Sequence, residues 1–123
     1  MNPIKGELYF AHLKGQGSVQ HGIRPALIVQ GDFINRASVN TTIVCPLTTR
    51  FRNLSTHVHV AMSKQNGLDV DSEIIAEQVA VINKSQLIRK IGELSSDDMS
   101  RVQEALLLIF DISLSSESDD ITF

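Results

Sequence analysis

Arg24 stands in His21-Gly22-Ile23-Arg24-Pro25, between a glycine-containing loop and an apolar run. The loop lets a polyanion approach, Pro25 fixes the chain direction, and a guanidinium placed there can grip a phosphate through a bidentate fork. A surface arginine in a salt bridge is the competing reading, and spacing alone favours it. In Pro46-Leu47-Thr48-Thr49-Arg50-Phe51-Arg52, two hydroxyls and two guanidiniums follow a β-branched run. Such groups can hydrogen-bond a transferring phosphate and stabilise its developing charge; they could equally be a polar strand end entering a loop. His57 and His59 sit two apart and could divide acid and base roles between paired imidazoles. The polar outward face of an alternating strand is the preferred reading, and as a metal pair they lack a third ligand at a recognisable spacing. Cys45 lies inside an apolar run, where a small hydrophobe is the natural role. No P-loop, dinucleotide fingerprint, nucleophile elbow or zinc motif is present. One tyrosine, five phenylalanines and no tryptophan argue against an extended base-stacking platform.

These residues need elements to position them, and the first two thirds of the chain read as short strands. Glu7–Leu13 alternates, with Leu8, Phe10 and His12 expected on one face. Lys14–Gly22 holds three glycines and no periodicity, and reads as a mobile loop. Pro25–Gln30 and Thr41–Thr48 are near-continuous apolar or β-branched runs of buried-strand type, with Pro46 suggesting a sheet edge or an end. Thr56–Val60 has period two, Asn66-Gly67 marks a turn, and Glu73–Ile82 reads as strand interrupted near Glu77-Gln78. Lys84–Leu87 is at most a helical turn, and Ile91–Leu94 returns to the sheet. The period then changes. Ser95-Ser96-Asp97-Asp98 supplies an N-cap and a carboxylate, and Met99, Val102, Leu106, Ile109 and Ile112 form the apolar stripe of a helix. Leu107, Leu108 and Phe110 widen that stripe toward a second chain.

The 123 residues make one domain, taken as 1–112, followed by an acidic, Ser-rich tail over 113–123 that is expected to be disordered. The longest apolar run, Ala105–Phe110, falls far short of a membrane span. The opening residues lack the order of a secretory signal, and the single cysteine fits a reducing cytoplasm. The net charge of −3 would argue against a nucleic-acid partner, but residues 1–64 carry +5 and residues 65–123 carry −8.

Gly6-Glu7-Leu8-Tyr9-Phe10-Ala11, followed by Gly17-Ser18-Val19-Gln20-His21-Gly22-Ile23-Arg24-Pro25-Ala26-Leu27-Ile28-Val29, resembles the opening of MazF/PemK toxins. Ile43–Thr49, Thr56-His57-Val58, Gly67–Ser72, Glu77-Gln78 and the terminal helix follow in the same order, so that the resemblance covers residues 5 to 112. It implies a mainly β, SH3-like barrel of the MazF/PemK/CcdB type with a C-terminal α-helix. It also implies a homodimeric, cytoplasmic toxin of a toxin–antitoxin pair: a metal-independent, cofactor-free, sequence-selective endoribonuclease acting on single-stranded RNA. On this resemblance Arg24 and Thr48 are the catalytic pair, and Gln20, His21, Thr49, Arg50, Arg52 and Gln78 bind substrate. The 2′-hydroxyl would attack the adjacent phosphate to leave a cyclic phosphate and a 5′-hydroxyl. An acidic, disordered antitoxin segment is expected across Arg24, Arg50 and Arg52.

The chain also departs from the pattern. Val19 replaces a glutamate, His21 replaces a small residue, and Val79–Ile82 lacks an arginine found after the Glu-Gln block in the family. A binding-only toxin of the CcdB type that poisons gyrase, or a degenerate member that sequesters antitoxin, is the alternative reading.

Overall fold

The computed structural model describes residues 2–114. In chain order the elements are β1 (Glu7–Lys14), β2 (His21–Ile28), a short helix α1 (Asp32–Asn35), β3 (Thr41–Thr48), β4 (His57–Val60), β5 (Ser72–Ile75), β6 (Ala80–Asn83), β7 (Leu87–Glu93) and α2 (Ser96–Ile109). All pairings are antiparallel. The order is β4-β5-β3-β2-β1-β7, with β6 also on β3. The fold is of the expected barrel type with a C-terminal helix, but the sheet stays open because its end strands, β4 and β7, do not pair.

Both faces of the central strands are covered, which is why β2 and β3 read as unbroken apolar runs. Leu8, Leu27, Cys45 and Leu47 face one core layer with Val58, Val60 and Ile74, closed by Val102 and Ala105 of α2. Tyr9, Ala11, Ala26, Ile28 and Val44 face the other, with Ile82 and Leu87. The alternation expected of β1 is present, with Leu8, Phe10 and His12 on one side, but the better-buried side is the other. Leu8 is buried, but so are Tyr9, Ala11 and Leu13, while Phe10 is half-buried and His12 exposed. The register shifts against β7 place the extra residues, Ile91 and Ile88, on β7, while the β1–β2 register runs unbroken. Phe10 instead carries the Arg89 guanidinium 4.8 Å above its ring.

The β1–β2 hairpin pairs as far as Lys14 and His21, so β2 begins ahead of Pro25. Pro46 marks neither an edge nor an end. It pairs with Ala26 of β2, and along its other side β3 changes partner from β6 (Thr41–Val44) to β5 (Leu47, Thr48). A residue with no N–H fits that interruption in the ladder. The interruption expected near Glu77-Gln78 is a 3₁₀ turn over Ala76–Gln78, and a second 3₁₀ turn over Lys84–Gln86 is closed by reciprocal Asn83 and Gln86 hydrogen bonds.

Helix α2 starts as its sequence requires, with the Ser95 hydroxyl accepting the Asp98 amide at 3.1 Å. Val102 and Ala105 are buried, and Met99, Leu106 and Ile109 pack half-buried against the same core. Ile112 lies past the helix end and is exposed, as are Leu108 and Phe110. The disorder expected of the tail falls, from residue 115 on, outside the described residues.

Candidate active site

Where β3 leaves the sheet, a cleft of about 300 Å³ opens between the β1–β2 loop, the end of β3 and the 3₁₀ turn after β5. Five of the eight sequence-derived site residues line it: Gln20, Thr48, Arg50, Arg52 and Gln78. Gly17, Ser18, His57, Ile75 and Glu77 complete the wall. Arg24, His21 and Thr49 are exposed and do not line it.

Arg24 nevertheless belongs to the same end of the sheet. The β2–β3 register runs Ile28↔Val44, Leu27↔Cys45, Ala26↔Pro46 and ends there; Arg24 lies two residues before Ala26, and Thr48 two residues after Pro46. The Arg24 Nε donates to the His21 carbonyl at 3.0 Å. Among the described residues Arg24, Arg50 and Arg52 have no carboxylate partner, whereas Lys90 bridges Glu7 and Glu93 and Arg101 pairs with Asp98. Within the described residues Arg24 is exposed and forms no salt bridge, so its guanidinium, like those of Arg50 and Arg52, is open to an anion.

Thr48 accepts the Arg50 amide on Oγ1 at 3.1 Å. That bond turns the chain out of β3 and occupies the oxygen as an acceptor, leaving the hydroxyl proton to donate to a ligand oxygen. Both ends of the Gln78 amide are bonded to the loop. Its Oε1 accepts the Gln20 amide at 2.9 Å, and its Nε2 donates to the Ser18 carbonyl at 2.8 Å. The glycine-rich loop, expected to be mobile, is pinned to the 3₁₀ turn through this clamp.

The histidines separate. His59 is exposed, with its ring edge-on to Phe51, in keeping with an outward strand face. His57 overturns that expectation: its side chain is 4% exposed and lies between two carboxylates. Nδ1 is 2.8 Å from Glu73 Oε1, and Nε2 is 3.0 Å from Glu77 Oε2. With both carboxylates ionised, an acceptor faces each ring nitrogen, an arrangement that favours a proton on each. Burial pulls its pKa down, but the hydrogen bonds and charges of Glu73 and Glu77 outweigh this and leave it above the ordinary value. With neither nitrogen free, His57 is no acid–base partner for His59. Burial would raise the Glu73 pKa, yet the amides of Arg52 and Asn53 together with His57 hold it below the usual carboxylate range. Glu77 is lowered as well, by His57 and Thr56 against the opposing effect of burial.

Glu73 and Glu77 escaped the sequence reading. The available signal was Glu73 itself, a charge inside a run otherwise suited to a buried strand, which demands partners. Burial pushes the Cys45 thiol up to about 12, consistent with a packing role.

Residues 4–110 match the family described as PemK-like, MazF-like toxin of type II toxin–antitoxin system. The chain is 41% identical over 105 residues to Endoribonuclease EndoA of Bacillus subtilis (strain 168), covering 83% of this chain and 89% of that one. Among solved structures it resembles the Mycobacterium tuberculosis toxin MazF-mt6, with a TM-score of 0.73 and 28% identity over 87% of this chain and 98% of that one. It also resembles a mycobacterial endoribonuclease in complex with its cognate antitoxin, with a TM-score of 0.71 and 25% identity, covering 90% and 97% of the two chains.

Proposed function

The chain belongs to the PemK-like, MazF-like toxin family of type II toxin–antitoxin systems, and on that premise we propose that it is an endoribonuclease that cuts single-stranded RNA without a metal. The observation that carries the reading is the cleft at the end of β3, where Arg50 and Arg52 stand beside Thr48, whose Oγ1 accepts the Arg50 amide; among the described residues neither arginine has a carboxylate partner.

Arg24 and Thr48 are the catalytic pair. The RNA 2′-hydroxyl gives its proton to water as its oxygen attacks the adjacent phosphorus, the bond to the 5′-oxygen breaks, and that oxygen takes a proton from water, so the products are a 2′,3′-cyclic phosphate and a 5′-hydroxyl. Arg24 stabilises the charge that builds on the phosphoryl oxygens, and the Thr48 hydroxyl donates to one of them, fixing the phosphorus for in-line attack. Arg50 and Arg52 hold flanking phosphates, while Gln20, His21 and Thr49 contact the strand at the rim. Gln78 serves this site as a positioning residue, since both ends of its amide hold the loop that carries Gln20.

The antitoxin is an acidic, disordered segment that lies across Arg24, Arg50 and Arg52 and competes with RNA. The functional unit is a homodimer of the 1–112 domain in the cytoplasm. Among the described residues no helix is long and apolar enough to cross a membrane.

Sequencing the ends produced on a long RNA in EDTA tests this reading. Discrete cuts by the wild type, lost in Arg24→Ala and in Thr48→Ala, are expected. Full cleavage by both variants would sink it, and absent cleavage with intact antitoxin binding would mark a binding-only toxin.

A further inference from the structure

We infer that Glu73 is a positioning residue for RNA: its buried carboxylate knots the Arg52 and Asn53 amides to the His57 ring and so holds the Arg50–Arg52 segment over the cleft. This rests on the nuclease reading of the same site. Glu73 is 1% exposed in a strand, Ser72–Ile75, whose other residues are all buried. A carboxylate there is costly to desolvate and persists only when its oxygens are satisfied. Oε1 accepts from Arg52 N at 3.0 Å and from His57 Nδ1 at 2.8 Å, and Oε2 accepts from Asn53 N at 3.1 Å.

Two consecutive amides converge on one carboxylate, and the chain turns immediately after them at Asn53, which is left-handed at φ 54°, a conformation that asparagine tolerates well. The knot also sits beside the chemistry, since Glu73 is the β5 partner of Thr48 in the sheet. The two arginines lie in the segment between Thr48, whose hydroxyl holds the Arg50 amide, and Glu73, which holds the Arg52 amide. Both ends of that segment are therefore fixed by side chains.

The charged groups around His57 come from four elements. Glu73 is on β5 and Glu77 on the 3₁₀ turn, Arg50 and Arg52 are on the loop after β3, and Arg101 and Glu104 of α2 line a second hollow beside His57. Glu73 is the member that connects the His57 ring to the arginine loop.

Glu73→Gln keeps the shape of the side chain but loses one of its two acceptors and its charge. The test measures amide exchange of the full-length protein without RNA, and the salt dependence of its binding to a mixed-sequence 2′-O-methyl oligonucleotide, which cannot be cut. The expected result is Arg52 and Asn53 amides exchanging about tenfold faster, with β1–β3 protection intact. The slope of log K against log salt should shrink by about 0.7 for each arginine released. On cleavable RNA, KM should rise by more than kcat falls.

Unchanged exchange at Arg52 and Asn53, an unchanged salt slope, or a parallel loss of protection through β1–β3 would overturn the inference; the last would make Glu73 a residue that only stabilises the fold. The exchange experiment contains no RNA. A wild type that fails to cleave while Glu73→Gln still frees these amides would therefore refute the nuclease reading and leave the anchoring in place.

Discussion

Gln78→Ala removes both bonds that pin the β1–β2 loop: the 2.9 Å bond from the Gln20 amide and the 2.8 Å bond to the Ser18 carbonyl. At about 1 kcal/mol net each, the loop loses roughly 2 kcal/mol of local anchoring, which is about a 30-fold increase in its open population. Two bonds within the loop survive, Gly15 N to Gln20 O and Val19 N to Gln16 O, so the hairpin itself should remain. The assay is amide exchange at Gln20, whose N–H is one of the two donors concerned. Exchange there should quicken by about 30-fold while the Leu27 and Cys45 amides, deep in the β2–β3 ladder, hold their rates. Gln78→Glu keeps the acceptor for Gln20 and loses only the donor to Ser18, so about fivefold is expected. RNA cleavage should follow in KM, because Gln20 is then presented from a loop that is open more of the time. A Gln20 amide within twofold of the wild-type rate in Gln78→Ala would refute the clamp and return Gln78 to a direct substrate contact.

Three further outcomes follow from the same structure. Because its pKa is raised in the fold, His57 contributes stability that is fully present below its ordinary value of 6.5 and lost as pH rises through the raised value. Glu73 and Glu77, whose values are lowered, contribute above 4.5 and lose that contribution as pH falls through their folded values. The stability gap between the wild type and His57→Gln should therefore be widest between these limits in denaturant titrations, and a gap that keeps growing above pH 6.5 would be wrong. Val102→Ala removes two buried carbons where α2 meets the sheet and should cost about 2 kcal/mol, roughly 8 °C in Tm, read by calorimetry. Cys45, fully buried and with its thiol pushed up to about 12, should resist a maleimide in the native protein and react on unfolding; rapid native labelling would contradict its packing.

Much of the fold was legible because local signals agreed with one another. The β-branched run gave β3 as Thr41–Thr48 without error, and the Ser95 cap with its carboxylates placed the start of α2. That the Tyr9, Ala11 and Leu13 side of β1 is the better buried did not show in a period-two pattern, because the sheet is covered on both sides. Pro46 misled because a residue lacking an N–H can also sit where a central strand changes partners. At the site, five residues named from sequence, Gln20, Thr48, Arg50, Arg52 and Gln78, share a cleft. What those residues do there depends on partners distant in sequence. Gln78 reaches back 58 positions to Gln20, and His57 is clasped by carboxylates 16 and 20 positions away.

The central claim is that this chain turns the RNA's own 2′-hydroxyl against the neighbouring phosphate with Arg24 and Thr48 and no metal. It is tested most directly by single-turnover cleavage in EDTA of an RNA carrying a single 2′-deoxy nucleotide on the 5′ side of a mapped cut. The account predicts that the all-RNA strand yields a 2′,3′-cyclic phosphate and a 5′-hydroxyl, and that the deoxy strand stays whole at that position. Cleavage of the deoxy strand at the same bond, or 5′-phosphate ends from the all-RNA strand, would contradict it.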